Sequence, residues 1–195
     1  MKKNHDHDEL PMQSFIVGYA ETYVKFAKDR VIFVSENITK TTAAELSALL
    51  LYYDNESHDD MITIYIHSNG GDASGLSCIY DVMQMVKAPI QTICLGKCYS
   101  AGAVILAAGS KGERYILKSS KVMIHGIQCM FPLPGSDFTS SKSYYQFLKD
   151  NNDNIMKMLA HHTGHTLEKL KEDCKQDVWL DAKQALEYGI VDHIL

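Results

Sequence analysis

Short runs of apolar residues alternate with longer amphipathic segments along most of this chain. The runs at residues 30–35, 61–67 and 90–95 are rich in β-branched side chains, which is typical of buried strands. Apolar positions three and four residues apart predict helices at residues 41–53 and 73–86. Because strands and helices alternate, the pattern predicts an α/β fold with mostly parallel strands and right-handed crossovers.

The rest of the chain continues this alternation, with a short helix or turn at residues 20–28 before the first strand and one long polar helix late in the chain. The later predicted elements are helices at 100–108, 143–161, 166–174 and 181–189, and strands at 114–117, 121–125 and 177–180. Either Thr41 or Thr42 is a candidate cap for the second helix, and a turn is expected at Gly96. Residues 129–141 contain two prolines and are predicted to be irregular.

The length of 195 residues suits one compact domain, which we expect at residues 21–195 after a flexible N-terminal arm at residues 1–20. The net charge of −5 gives no reason to expect a surface for nucleic acid or anionic membranes. The longest apolar run, residues 103–108, is too short to span a membrane, and the charged N-terminus does not look like a secretion signal.

The number and spacing of the cysteines indicate the redox state of the compartment. There are five, an odd number, and they form no C-x-x-C motif, so we expect reduced thiols in the cytoplasm. His161, His162 and His165 have no cysteine pair nearby, so no metal site is expected. The chain has no phosphate-binding motif for ATP, and we expect no cofactor.

Three segments carry residues suited to acyl transfer. Ser100 follows a strand on a glycine-flanked turn and begins a helix, where unpaired N–H groups stabilise negative charge. Its alternative role is a simple helix cap. His125 ends an apolar strand and is either a general base or a buried core histidine. The turn before Gly71 presents backbone N–H groups that, with the N–H of Ala101, suit an oxyanion.

A histidine base needs a third group to hold its tautomer. Asp173 and Asp177 are both candidates, since they lie about one helical turn apart near the end of a predicted helix. The sequence pattern alone does not choose between them. Either carboxylate is equally consistent with a helix cap or a surface charge.

Together these segments resemble the ClpP family, the proteolytic subunits of the ATP-dependent Clp protease. The resemblance covers residues 23–195 and is carried by the stretches 29–34, 65–71, 79–84, 93–96, 107–112, 122–125, 162–164 and 185–192. It implies a ClpP/crotonase-like fold with a protruding handle at about residues 126–161. It also implies a serine endopeptidase with Ser100 as nucleophile, His125 as base and Asp177 as acid, and with Gly71 and Ala101 as oxyanion donors. Asp173 is then structural.

The same resemblance implies an assembly and partners. It predicts a homo-oligomer of two stacked heptameric rings that encloses a chamber for unfolded polypeptides, with residues 1–20 contributing to an axial pore. An AAA+ unfoldase, a Clp ATPase, is expected to use the ATP and to dock in an apolar cleft. The matching cleft positions are Tyr65, Met85, Ile93, Leu95, Tyr115 and Leu195.

Several positions depart from the family pattern. Gly126 and Ile127 stand where the family usually has Gln-Pro, Cys98 and Tyr99 replace small residues, and Gln176 replaces an arginine. Two other functions therefore stay open. One is a non-catalytic ring subunit or scaffold, and the other is a crotonase-like acyl-CoA enzyme that uses the Gly71 turn as a thioester oxyanion hole.

Overall fold

The structure, a computed structural model, describes residues 21–128 and 137–195. Helix α1 covers residues 21–28, and the later helices are α2 Lys40–Glu56, α3 Ala73–Met85, α4 Ala101–Ala107, α5 Phe138–Thr163, α6 Leu167–Asp173 and α7 Ala182–Glu187. The strands are β1 Val31–Val34, β2 Ile62–Ser68, β3 Ile90–Tyr99, β4 Arg114–Ile116, β5 Lys121–Ile124, β6 Val178–Asp181 and β7 His193–Ile194. The arm at residues 1–20 and most of the predicted irregular stretch lie outside the described residues.

The strands form one mixed sheet. Five of them lie side by side and parallel in the order β1-β2-β3-β4-β7. The second half of β3 leaves β4 and pairs in parallel with β5, and β6 then runs antiparallel to β5. The predicted α/β fold with mostly parallel strands is confirmed.

The core lies on the sheet face that carries the alternate residues Ile62, Ile64 and Ile66, all fully buried. The helices that complete this core include α4, in which every residue is buried. Its sequence, AGAVILA, begins with small side chains, which let a helix approach β3 closely. This packing holds the start of α4 at the end of β3.

Three local predictions differ from the structure. β3 does not end in a turn at Gly96 but continues to Tyr99, because Gly96 adopts φ 77° within the strand and donates its N–H to Ser120 Oγ at 2.7 Å. Helix α2 begins at Lys40 and is capped by Thr39, which exchanges hydrogen bonds with Thr42. Helix α5 begins five residues earlier than predicted, after the cap Asp137.

Within residues 21–128 and 137–195, no helix is long and apolar enough to cross a membrane.

Candidate active site

Ser100 stands at the junction between β3 and α4 in an unusual backbone conformation. Its φ of 55° and ψ of −122° make it one of two non-glycine residues with positive φ in the described part of the chain. Such a conformation costs roughly 1–3 kcal/mol and persists only where the surroundings enforce it. Ser100 occupies the N-cap position of α4, yet its side chain makes no capping hydrogen bond. The simple-cap alternative therefore does not account for the hydroxyl.

Strand β5 fixes the position of Ser100 relative to His125. Tyr99 pairs with Met123 across the two strands, and the Ser100 N–H donates to the Met123 carbonyl at 2.8 Å. His125 follows two residues later, at the carboxyl end of the same parallel pair. Ser100 and His125 consequently line one cavity of about 680 Å³.

Strand β6 brings Asp177 opposite His125. Ile124 pairs with Val178 in the antiparallel β5–β6 ladder, so the neighbouring His125 and Asp177 face each other. The His125 Nδ1 and Asp177 Oδ1 atoms are 3.7 Å apart, with the histidine side chain 13% and the aspartate side chain 41% exposed. Nδ1 is buried and has no hydrogen-bond partner among the described residues.

Asp173 is engaged elsewhere. Lys169 Nζ donates to its carboxylate at 2.7 Å, and the Tyr188 hydroxyl donates at 2.6 Å. These two hydrogen bonds hold the pKa of Asp173 below its ordinary value. The structure thus places Asp177, and not Asp173, beside His125.

The Gly70–Gly71 turn packs directly against the serine. Gly70 has φ 89°, and a Cβ atom there would lie 2.7 Å from Ser100 Cβ and 2.8 Å from the Ala101 nitrogen. Gly71 has φ 151°, and a Cβ atom there would collide with the carbonyl of Ile38. Only glycine permits this approach of the turn to Ser100.

The pairing of this turn determines where its N–H groups point. The Ile38 N–H donates to the Gly70 carbonyl, and the Asp72 N–H donates to the Ile38 carbonyl, both at 2.8 Å. In a parallel bridge of this kind, the N–H of the middle residue, Gly71, is directed away from the partner strand. Gly71 and Ala101 both line the cavity that contains Ser100. Ala101, as the first residue of α4, has an N–H without an intrahelical acceptor.

The predicted docking residues lie on or beside the less buried face of the sheet. Tyr65 of β2, Ile93 of β3 and Tyr115 of β4 are directly adjacent in the parallel register. Leu95 is two residues further along β3, and Leu195 donates its N–H to the Ile116 carbonyl at 2.9 Å, next to Tyr115. Met85 belongs to α3 instead and is 63% exposed at the end of that helix.

Two further residues extend this line and were not predicted from the sequence. The Phe33 ring stacks on Tyr65 with centroids 5.2 Å apart, and the His193 ring stacks on Tyr115 at 5.0 Å. Phe33, Tyr65, Ile93, Tyr115 and His193 thus form a cross-sheet row, with one residue from each of five parallel strands. At one end, Tyr23 and Phe26 of α1 pack on Phe33.

The histidines near residue 162 have structural contacts. His162 Nε2 lies 3.1 Å from the Tyr80 hydroxyl, and its own carbonyl accepts a hydrogen bond from Arg114. In the described ranges, no three or more histidine, cysteine, aspartate or glutamate side chains are grouped to hold a metal ion.

The chain matches a known protein family. A sequence model of the Clp protease family matches residues 18–195, which is nearly the whole chain and includes every strand and helix described above. The match extends over the serine turn, the histidine and the facing aspartate. The chain belongs to the Clp protease family.

Proposed function

We propose that this chain is a serine endopeptidase of the ClpP type, with Ser100 as nucleophile, His125 as general base and Asp177 as the group that orients the histidine. One observation carries the proposal. A strained serine whose hydroxyl does not cap its helix lines the same cavity as a histidine whose buried Nδ1 faces a carboxylate. A nucleophile, a base and an orienting acid are the components that acyl transfer requires.

The first step forms the acyl-enzyme. With Nδ1 facing Asp177, the neutral imidazole carries its proton on Nδ1 and leaves Nε2 to accept the proton of Ser100 Oγ. Oγ attacks the carbonyl carbon of the peptide bond, and the carbonyl oxygen becomes an oxyanion. The N–H groups of Gly71 and Ala101 stabilise that charge. When the intermediate collapses, Nε2–H gives its proton to the leaving amine.

The second step releases the acid product. A water molecule gives a proton to Nε2 of His125 and attacks the ester carbon, again through an oxyanion held by Gly71 and Ala101. Collapse returns the proton from Nε2 to Oγ of Ser100 and frees the new carboxylic acid. No step changes an oxidation state, and each proton that leaves the serine or the water passes through His125.

We propose that the active form is two stacked heptameric rings around a chamber. Helix α5 supports this idea, because its buried residues Met156 and Leu159 lie in its C-terminal half, whereas residues 139–150 are exposed or half-buried. At 26 residues, the helix is about 39 Å long. A half-helix of this length that packs little on its own chain suits contact with a second copy.

We further propose that a Clp ATPase docks at the cross-sheet row and supplies unfolded polypeptide to the chamber. The apolar and aromatic character of the row, its half-buried tyrosines and the exposed Met85 and Leu195 beside it support this role. The thiols of Cys78, Cys94, Cys98 and Cys174 are unpaired, which supports a reducing compartment such as the cytoplasm.

A labelling experiment tests the proposal. The purified full-length chain is treated with a fluorophosphonate probe, while its particle mass and its hydrolysis of a fluorogenic peptide are measured. We expect label on Ser100, and we expect Ser100→Ala to lose both label and hydrolysis with an unchanged particle mass. Assembled rings that take no label would instead identify a non-catalytic scaffold. Turnover of a thioester that survives Ser100→Ala would identify an acyl-CoA enzyme.

A further inference from the structure

The two residues after His125 are held in place from two sides. The Gly126 N–H donates to the Cys174 carbonyl at 3.2 Å, at the end of α6. The Ile127 N–H donates to the side-chain Oδ1 of Asn152 at 2.9 Å, on α5. The Gly126–Cys174 hydrogen bond joins two backbone groups, so it needs no particular side chain as acceptor. The hydrogen bond from Ile127 does need one, the carboxamide of Asn152. Asn152 therefore provides the side-chain hydrogen bond between α5 and the segment that follows the histidine.

The fit around this contact is close. A Cβ atom on Gly126 would lie 3.1 Å from Asn152 Oδ1 and 3.4 Å from the Cys174 carbonyl oxygen. Contacts near 3.1 Å are tighter than ordinary van der Waals packing, so any side chain at 126 would push the carboxamide away. Gly126 thus provides the space, and Asn152 fills it with an acceptor for the next N–H.

This contact depends on the departure from the family pattern at residue 127. A proline, which the resemblance leads one to expect there, has no N–H to donate. Ile127 has one, and a buried or half-buried N–H without an acceptor costs free energy. The Asn152 carboxamide satisfies it. The hydrogen bond to Asn152 thus restricts the backbone at a position where a proline ring would also restrict it.

We propose that Asn152 is a positioning residue for His125, acting through the Ile127 N–H to set the backbone from which the imidazole projects toward Ser100. The inference rests on the proposed function, because it gives His125 a catalytic task. Asn152 itself does not touch the reacting atoms. Its effect is on the geometry between base and nucleophile, where a displacement of about 1 Å is enough to cost roughly 10²-fold in rate.

The test measures how fast a fluorophosphonate inactivates Ser100 in full-length variants. We expect Asn152→Ala to slow inactivation by about 10-fold or more, with an unchanged particle mass and a thermal midpoint lower by only about 2–4 °C. Asn152→Asp keeps an acceptor oxygen and is expected to restore the rate to within about 3-fold. The control is Asn154→Ala, an exposed asparagine on the same helix with the same gain in helix propensity, which is expected to leave the rate unchanged.

A double-mutant cycle separates positioning from general stability. Ile127→Pro removes the N–H that Asn152 accepts, so Asn152→Ala is expected to cause no additional loss in that background. Gly126→Ala crowds the carboxamide by a few tenths of an ångström and is expected to slow inactivation, but less than Asn152→Ala does. An Asn152→Ala protein that labels at the wild-type rate overturns the proposal. So does an equal loss in the Ile127→Pro background, or a loss that Asn152→Asp does not rescue.

These outcomes are distinguishable from failure of the proposed function. If wild-type protein in its assembled form takes no label on Ser100, the serine peptidase proposal fails and the positioning role fails with it. If wild type is labelled and the Asn152 variants behave like wild type, the peptidase proposal stands and the positioning role alone is rejected.

Discussion

The Nδ1 atom of His125 lies 3.7 Å from Oδ1 of Asp177, facing it but beyond hydrogen-bond distance. A movement of about 1 Å would close the gap, and contacts of this kind are often long before substrate binds. The aspartate is presented by β6, whose antiparallel pairing with β5 fixes which residue faces the histidine. The neighbouring Asp173 instead accepts hydrogen bonds from Lys169 and Tyr188.

This arrangement predicts opposite results for two similar substitutions. Asp177→Asn is expected to lower kcat for a fluorogenic peptide by about 10²–10⁴-fold, because an amide facing Nδ1 favours the wrong tautomer. Asp173→Asn is expected to keep kcat within about 2-fold and to lower the thermal midpoint, since its bonds to Lys169 and Tyr188 weaken. If Asp173→Asn loses the activity and Asp177→Asn keeps it, the assignment of the two carboxylates is reversed.

Two glycine-to-alanine substitutions distinguish the effect of crowding at Ser100 from the effect of backbone strain alone. Gly70→Ala places a methyl group 2.7 Å from Ser100 Cβ, and we expect at least a 10²-fold loss of peptide hydrolysis. Gly112 has a similar φ of 93°, but a Cβ atom there meets nothing within 4 Å. Gly112→Ala is therefore expected to cost about 1 kcal/mol of stability and to leave hydrolysis intact. Equal losses of hydrolysis in both variants would contradict the role of the Gly70 approach.

The ion pair between Arg114 and Asp192 is expected to be critical for stability. Its side chains are 6% and 16% exposed, and Asp192 accepts from Arg114 Nη2 at 2.6 Å and from Nε at 2.8 Å. Burial raises the pKa of Asp192, but hydrogen bonds from Arg114 and Gly112 outweigh it and leave the pKa below its ordinary value.

Asp192→Asn leaves the arginine charge buried without a counter-charge, and we expect the free energy of unfolding in urea to fall by about 3–5 kcal/mol. The control is Glu172→Gln, which removes an exposed pair with Lys175 and is expected to cost less than about 1 kcal/mol. A comparably small loss for Asp192→Asn would show that the buried pair is not needed.

His162 makes stability depend on pH. Burial lowers its pKa to about 4, and the charges of His161 and Arg114 add to the effect. Between about 4 and the unfolded value of about 6.5, the unfolded chain binds one more proton than the folded chain. The His162 contribution to the free energy of unfolding therefore falls as the pH falls, by about 1.4 kcal/mol per pH unit in this window.

His162→Gln removes that proton uptake and keeps a polar group near Tyr80. Urea denaturation at about pH 7 and about pH 5, at one protein concentration, is expected to show a loss on acidification that is smaller in the variant by roughly 1–2 kcal/mol. Equal pH dependence in the two proteins would mean that His162 is not kept neutral by the fold.

The cross-sheet row predicts a separation of two activities. Tyr115→Ala removes a ring that lies between Ile93 and His193 in the row, and we expect at least a 10-fold loss in degradation of a folded substrate with a Clp ATPase. Hydrolysis of a short peptide without the ATPase is expected to stay within about 2-fold. Tyr52→Ala, at an exposed tyrosine of α2, is the matched control. Unchanged ATPase-dependent degradation by Tyr115→Ala would place the docking surface elsewhere.

Local sequence patterns were sufficient for most elements of this fold. The β-branched run at residues 61–67 predicted β2 to within one residue, because such side chains favour a strand with one face fully buried. The start predicted for the last helix, residue 181, is its N-cap in the structure, where the Asp181 carboxylate accepts from the Gln184 N–H within the same four-residue segment. Signals of this kind depend on neighbours in the chain.

The features that sequence patterns missed depend on distant partners. Asp173 and Asp177 are equivalent as a local pattern, and only the register of β6 against β5 places one of them beside His125. Phe33 and His193 join the cross-sheet row through the pairing of strands far apart in the chain. The N–H that Asn152 accepts belongs to a residue 25 positions earlier. No window of a few residues contains these relationships.

Strand β3 pairs with β4 before Gly96 and with β5 after it. The two segments of the strand therefore contribute to different parts of the molecule. Residues before the glycine include Ile93 of the cross-sheet row, whereas those after it lead to Ser100. We therefore expect changes in the first segment to act mainly on the proposed docking surface, and changes in the second to act on the position of Ser100. On the proposed function, chimaeras joined at this glycine are expected to change partner recognition while they keep the geometry of the serine.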